Sequence, residues 1–523
     1  MCFHRLCAAL LAAAVVGFGP AARTQSASAT DAHPPEPRRP CIIFIQCDGL
    51  GYGDLSCYGQ TKFQTPELDK LAADGIRFTS YYAGDAASSP SRAALMLGRD
   101  SAHLKQRADV DVPVPANDVT VAQLLEQSGY HTALIGEWFL GGDGTSGAPW
   151  LKGFDEFTGY FDAGNADNYY ADFIWRHDPF ANFQGKELLY ANADGKKGRY
   201  IPDLFTKAAG NFIRVNRPDR FNHYRPFFLL LNFTIARPGT DNTMPVPTDA
   251  PYSEEPWTQQ EKNRAAMIAR LDNYIGKVRE QLKDFNIESN TVIFFSSDTG
   301  PQTGGGVNPK FFQSAGPFRG ERGDLYEGGL RVPMIVCWPG KIQPGQVSDF
   351  PWAAWDFLPT AMQIALREPP KNIDGISVLP TLRGETQTNR HEFFSWELRG
   401  RHLAQAARMG DWKIVRSKAD EKWQLYNLKT DPGETQNVAD KHPDVIAIFE
   451  KLLKKQGTLT TAAKAAIAPN WWAGADSGRV PVRRSGPQSS STQSPATQTA
   501  QTPPAQTTAS GSGAADFHLH RSS

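Results

Sequence analysis

The sequence predicts an α/β fold, a mainly parallel sheet flanked by helices, with a smaller α+β region behind it. Two observations carry this. Short apolar runs bounded by turn residues recur at 41–46, 132–135, 226–233, 291–295 and 332–337 and read as buried strands. Helical patterns alternate with them at 66–74 ("PELDKLAAD"), 121–127 and 262–282, and strands alternating with helices build a sheet covered on both faces. From residue 341 the elements shorten into antiparallel patterns such as "QAARMGDWKIVR" and "EKWQLYNLKTDPGE", ending in a helix over 443–455.

In chain order, residues 1–29 read as a signal peptide. His4-Arg5 precedes an apolar run over 8–19, and Ala27-Ser28-Ala29 offers a small-residue cleavage site. The run is too short to span a bilayer, so the expectation is an exported protein, periplasmic or extracellular, without a transmembrane anchor. Residues 38–340 form the expected large domain and 341–465 the smaller one. Residues 475–523, rich in Ser, Thr, Gln and Pro, cannot bury a core and read as a disordered tail. Lys+Arg and Asp+Glu balance at 55 each, so no global field points to nucleic acid. Once the signal is removed, Cys41, Cys47, Cys57 and Cys337 remain, with neither zinc-ligand spacing nor a disulfide framework.

Open α/β sheets bind ligands at the carboxyl ends of their strands. Asp48 follows the first apolar run and Asp298-Thr299 the fourth. Within "AASSPSRAALMLGR" (86–99), Pro90 suits a first helical turn and Ser89 the N-cap. Ser88 then falls just outside the helix, where free N–H groups favour an anion, and Arg92 adds positive charge at the same end. From this stretch alone an ordinary capped helix reads equally well. The aromatic and polar residues of "NADNYYADFIW" (165–175) either line a sugar-binding cleft or form a packed surface of the large domain.

The ordered segments "CDGLGYGDLSCYG", "TPELDKLAADGIRFTSYYA", "SSPSRAALMLG", "VIFFSSDTGP", "DLYEGGLRVPMIV" and "LYNLKTDPGETQNVA" resemble the type I, formylglycine-dependent sulfatases over roughly residues 40–460. The resemblance implies an alkaline-phosphatase-like fold and an arylsulfatase-like, sulfuric-ester hydrolase activity on aryl or carbohydrate sulfates. Ser88 through Gly98 match the family motif in its serine form, which implies that a formylglycine-generating maturase oxidises Ser88 before export. In the family the hydrated aldehyde attacks sulfur, and its second hydroxyl then expels sulfate. Arg92 matches the motif arginine, and Asp48 and Asp298 match carboxylate ligands of the family's divalent metal, calcium.

Several positions depart from the family pattern. Gly49 stands where a second aspartate is usual and Thr299 where asparagine is usual; Glu137-Trp138-Phe139 replaces Lys-x-His. Arg237 replaces a histidine, Arg322 a lysine, and Gln302 a histidine. Arg237 and Arg322 can still hold a sulfate, but a guanidinium does not serve as a general acid at neutral pH. The changes at Gly49, Glu137 and Arg237 cancel in charge. Glu137 is therefore expected either to enter the metal shell in place of the missing aspartate, or to stay a surface glutamate or pair with Arg237 or Arg322. Two other readings stay open: a catalytically silent protein that binds sulfated polysaccharide, and a phosphatase or phosphodiesterase using unmodified Ser88.

Overall fold

The computed structural model describes residues 38–105, 112–217, 225–302, 304–399 and 402–457. The expected signal peptide, the expected tail and the last residues of the expected smaller domain lie outside them. The strands are β1 (Cys41–Cys47), β2 (Ile76–Phe78), β3 (Tyr81–Tyr82), β4 (His131–Glu137), β5 (Glu156–Tyr160), β6 (Phe173–Asp178), β7 (Phe183–Leu188) and β8 (Phe227–Phe233). They continue as β9 (Thr291–Ser297), β10 (Met334–Cys337), β11 (Gln346–Ser348), β12 (Trp352–Ala353), β13 (Phe394–Arg399), β14 (Leu403–Met409), β15 (Trp412–Arg416) and β16 (Gln424–Asn427).

Ten of these form one sheet in the order β11-β2-β10-β9-β1-β8-β4-β5-β6-β7. Its centre, β9-β1-β8-β4-β5, is parallel. The run expected at 332–337 enters as β10, antiparallel to β9, and the far edge is the antiparallel hairpin β6–β7.

Strand periodicity sorts the core into two layers. From β1 and β8, Ile42, Phe44, Phe228 and Leu230 face one layer, with the helices Ser88–Leu97, Val121–Gln127 and Phe357–Ile364. Ile43, Ile45, Leu229 and Leu231 face the other, with the helices Pro66–Ala73, Ile201–Asn216 and Gln259–Asp284. The last of these begins at a capping box, with the Thr258 hydroxyl accepting from Glu261 N–H and the Glu261 carboxylate accepting from Thr258 N–H.

The C-terminal meander β13-β14-β15-β16 is a separate antiparallel sheet. Trp396, Ala406, Val415 and Tyr426 join the first core layer of the large sheet. Its opposite side, through Ile414 and Leu425, packs on Phe449 and Leu453 of the helix Pro443–Gln456. Among the described residues no helix is long and apolar enough to cross a membrane.

Candidate functional site

Parallel strands deliver their carboxyl ends to one edge of the sheet, and there the expected residues meet. Asp48 follows β1, Asp298 follows β9, Glu137 ends β4, and Arg237 lies four residues beyond β8. The helix Ser88–Leu97 points its first turn at the same place. Ser88 is its first residue and Ala87 the N-cap, so the helix starts two residues earlier than the capping pattern implies and Ser88 lies inside its first turn. The Ser89 hydroxyl is drawn instead to the Phe139 carbonyl, at 2.9 Å.

Asp48 is the hub. The Ser88 hydroxyl lies 3.3 Å from each of its oxygens. Arg237 Nη1 donates to it at 3.0 Å, Arg322 Nη1 at 3.3 Å and Arg92 Nη2 at 3.5 Å. Burial pushes this carboxyl upward, but Arg322, Arg237 and Arg92 outweigh it and hold it at about 2. Arg92 also donates through Nε to Asp298 at 3.0 Å and through Nη2 to Glu137 at 2.5 Å. Burial, then the charge of Asp48, raises Asp298 to about 6. Burial raises Glu137 to about 7 against the pull of Arg92.

Glu137 thus has an arginine partner, but it is Arg92 and neither of the two expected. One consequence bears on Phe139, whose side chain offers no hydrogen bond. Its ring lies 4.8 Å from the Arg92 guanidinium carbon and 5.9 Å from that of Arg237, so it faces two cations that a protonated histidine would repel. Gly49 turns through φ +70°, and Gln302 Cβ would stand 3.1 Å from any Cβ added there. An aspartate at 49 would therefore be strained in this backbone.

Three further pairings were not legible in the sequence. Asp167 meets Arg237 Nε at 2.9 Å. Gln302 accepts from Arg322 Nη1 at 2.6 Å, and Asn232 donates to the Glu137 carbonyl at 2.7 Å. Asp167 lies in the 165–175 stretch and Gln302 is one of the departures, but neither position announces its partner. Tyr169, from the aromatic stretch, is buried, stacks on Tyr200 and donates to the Arg237 carbonyl at 2.7 Å. Its hydroxyl also reaches the Thr234 carbonyl at 3.1 Å, so it holds both ends of the turn that carries Arg237.

The oxygen donors fit a hard divalent cation. Two carboxylates and the Ser88 hydroxyl converge, and the Thr299 hydroxyl lies 3.4 Å from Asp298 Oδ1. Glu137 Oε1 is buried without a hydrogen-bond partner. Elsewhere among the described residues, Asp100, His103 and Asp374 bring three ligand atoms within 4.8 Å of one another.

A sulfatase family profile matches residues 40–366, and a profile for the N-sulphoglucosamine sulphohydrolase C-terminal region matches 321–461. The chain is 28% identical to the N-acetylgalactosamine-6-O-sulfatase of Bacteroides thetaiotaomicron, covering 80% of this chain and 94% of that one. It is 29% identical to human arylsulfatase A, covering 81% and 89%. Among solved structures it resembles Ps i-CgsB in complex with k-i-k-neocarrahexaose, at TM-score 0.68 and 27% identity, covering 81% of this chain and 94% of that one.

Proposed function

This chain belongs to the sulfatase family, and we propose that it is an exported hydrolase of sulfuric esters, aryl or carbohydrate, working through formylglycine made from Ser88. The observation that supports this is the gathering of Ser88 and three guanidiniums around Asp48 at the strand ends. In this reading a maturase would modify Ser88, and Asp48, Asp298, Thr299 and Glu137 would hold a calcium ion. The modified Ser88 would supply the nucleophile and the ion would supply Lewis-acid polarisation of the sulfate.

The remaining chemistry falls to the chain's own residues. Arg237 and Arg322 stand at the rim with 10% of each side chain exposed. Each guanidinium has five N–H donors, enough to share between Asp48 and an incoming sulfate. Arg92, fully enclosed, fixes the carboxylates of Asp48, Asp298 and Glu137 relative to Ser88. No general acid stands at 139 or 237, and such a group is worth roughly 10²–10⁴ in rate. Esters with acidic leaving groups should therefore turn over faster than sugar sulfates by about that factor.

The test is co-expression with a maturase, mass spectrometry of the peptide carrying Ser88, and sulfate release from aryl and glycan sulfates. A loss of two hydrogens with turnover graded by leaving-group acidity is the expected result. Modified Ser88 with no release from any ester would overturn the hydrolase reading.

A further inference from the structure

The motif "LYNLKTDPGETQNVA" (425–439) lies far along the chain from the strand ends. Its Glu434 is fully buried. The carboxylate Oε2 accepts from Glu327 N–H at 2.6 Å, and the Glu434 carbonyl accepts from Arg319 Nη1 at 3.1 Å. One residue thereby grips both ends of the segment 319–327. The base is closed by Gly328 N–H on the Arg319 carbonyl, at 2.6 Å. Tyr326 adds a further tie, donating to Gln424 at 2.8 Å on β16.

Lys413, on β15 and fully buried, completes the grip. Its ammonium pairs with Glu327 Oε1 at 2.9 Å and Glu434 Oε1 at 3.1 Å. A lysine can be buried this way only if its charge is compensated, and removing one partner of such a pair is costly. The arm so held carries Arg322 at its tip. Arg322 N–H donates to the Pro301 carbonyl at 3.0 Å and Gly323 N–H to the Ala86 carbonyl at 2.9 Å, beside the Ser88 helix.

We propose that Glu434 and Lys413 are positioning residues: the C-terminal sheet clamps the 319–327 arm and thereby sets Arg322 for sulfate. The clamp touches no reacting atom. Arg322 has a long side chain with no covalent tie to the strand ends, and its donors select a sulfate only if its backbone is held. The proposal rests on the reading of Arg322 as a sulfate-holding residue.

The experiment combines calorimetry of inorganic sulfate binding with hydrogen exchange of the peptide covering 319–328. It uses the parent, Glu434→Ala, Arg322→Ala and the double variant. Glu434→Ala should speed exchange at Arg322 and Gly323 and weaken sulfate binding roughly threefold to thirtyfold, the range of coupling through such networks. In the Arg322→Ala background it should weaken binding no further, whereas a general loss of structure would weaken both backgrounds equally. Glu434→Gln, which keeps an acceptor for Glu327 N–H, should recover much of the loss. If Glu434→Ala fails to fold, Arg319→Met cuts the exposed leg of the clamp and should show the same pattern at smaller size. Unchanged exchange, or equal weakening in both backgrounds, overturns the clamp. Faster exchange with sulfate affinity untouched by Arg322→Ala supports the clamp and overturns the sulfate reading alone.

Discussion

The helix Ser88–Leu97 has a charged cluster at each end, and the two are built differently. At its first turn, Arg92, Asp48, Asp298 and Glu137 are wholly enclosed, and Glu137 Oε1 and Asn232 Oδ1 are left without partners. At its far end, past Gly98 in the left-handed cap, Asp100, His103 and Asp374 satisfy one another. Asp100 Oδ1 accepts from His103 N–H at 3.1 Å, and Oδ2 accepts from Gln456 Nε2 at 2.6 Å. Asp374 Oδ2 accepts from Asp100 N–H at 3.0 Å and from the His103 ring at 2.9 Å. Burying polar atoms unsatisfied costs about 1–3 kcal/mol each. The N-terminal cluster carries that cost and the C-terminal cluster does not, which supports the proposal that the first receives a ligand while the second ties elements together.

Ser88→Ala breaks the first cluster most severely. Turnover of the matured enzyme should fall to background, a loss of roughly 10⁴-fold or more, the scale on which removing a nucleophile acts. Stability should hardly change. At 3.3 Å from Asp48 the hydroxyl makes a long contact, and the three guanidiniums still satisfy that carboxylate. A melting curve with the activity assay checks both halves. A large loss of stability would make Ser88 a structural residue and erase the contrast.

A smaller effect is expected at Glu137, whose charge is divided between Arg92 and an unpartnered oxygen. If that oxygen serves a cation, Glu137→Gln should weaken calcium binding by about tenfold, measured by titration calorimetry on the unmodified protein. Equal affinity in parent and variant would leave Glu137 as the partner of Arg92 only, and the site would then lack any substitute for the aspartate missing at Gly49.

The chemistry of the first cluster was more legible than its wiring. Period-2 and period-3.6 patterns place Asp48, Asp298, Ser88 and Arg92 at element termini, while the roles expected of them come from the family resemblance. The hairpin β6–β7 and the short strand β2 escaped, since their half-exposed or three-residue patterns carry little periodic signal. Glu137's partner was equally out of reach. Which arginine a buried glutamate meets depends on how β4 and the Ser88 helix pack, and no local pattern encodes that. The second cluster was invisible for the same reason: Asp100 and Asp374 are 274 residues apart.

His103 gives the finest test of the contrast. Hydrogen bonds to Asp100 and then Asp374 raise its ring to about 10 against the cost of burial. A group whose pKa is raised on folding lends stability that is complete below its unfolded value, near 6.5, and is lost as pH climbs through the folded value. The parent should therefore melt above His103→Gln at pH 6, with the gap closing between pH 6.5 and 10. With 36% of the side chain exposed, solvent screening keeps the effect at about 1 kcal/mol or less. Thermal melts across that window read it directly. A gap independent of pH would mean that the ring acts through packing alone. A divalent ion that raised the melting point of the parent but not of His103→Gln would show that the three ligand atoms gathered there also receive a cation, and the two ends of the helix would then be alike.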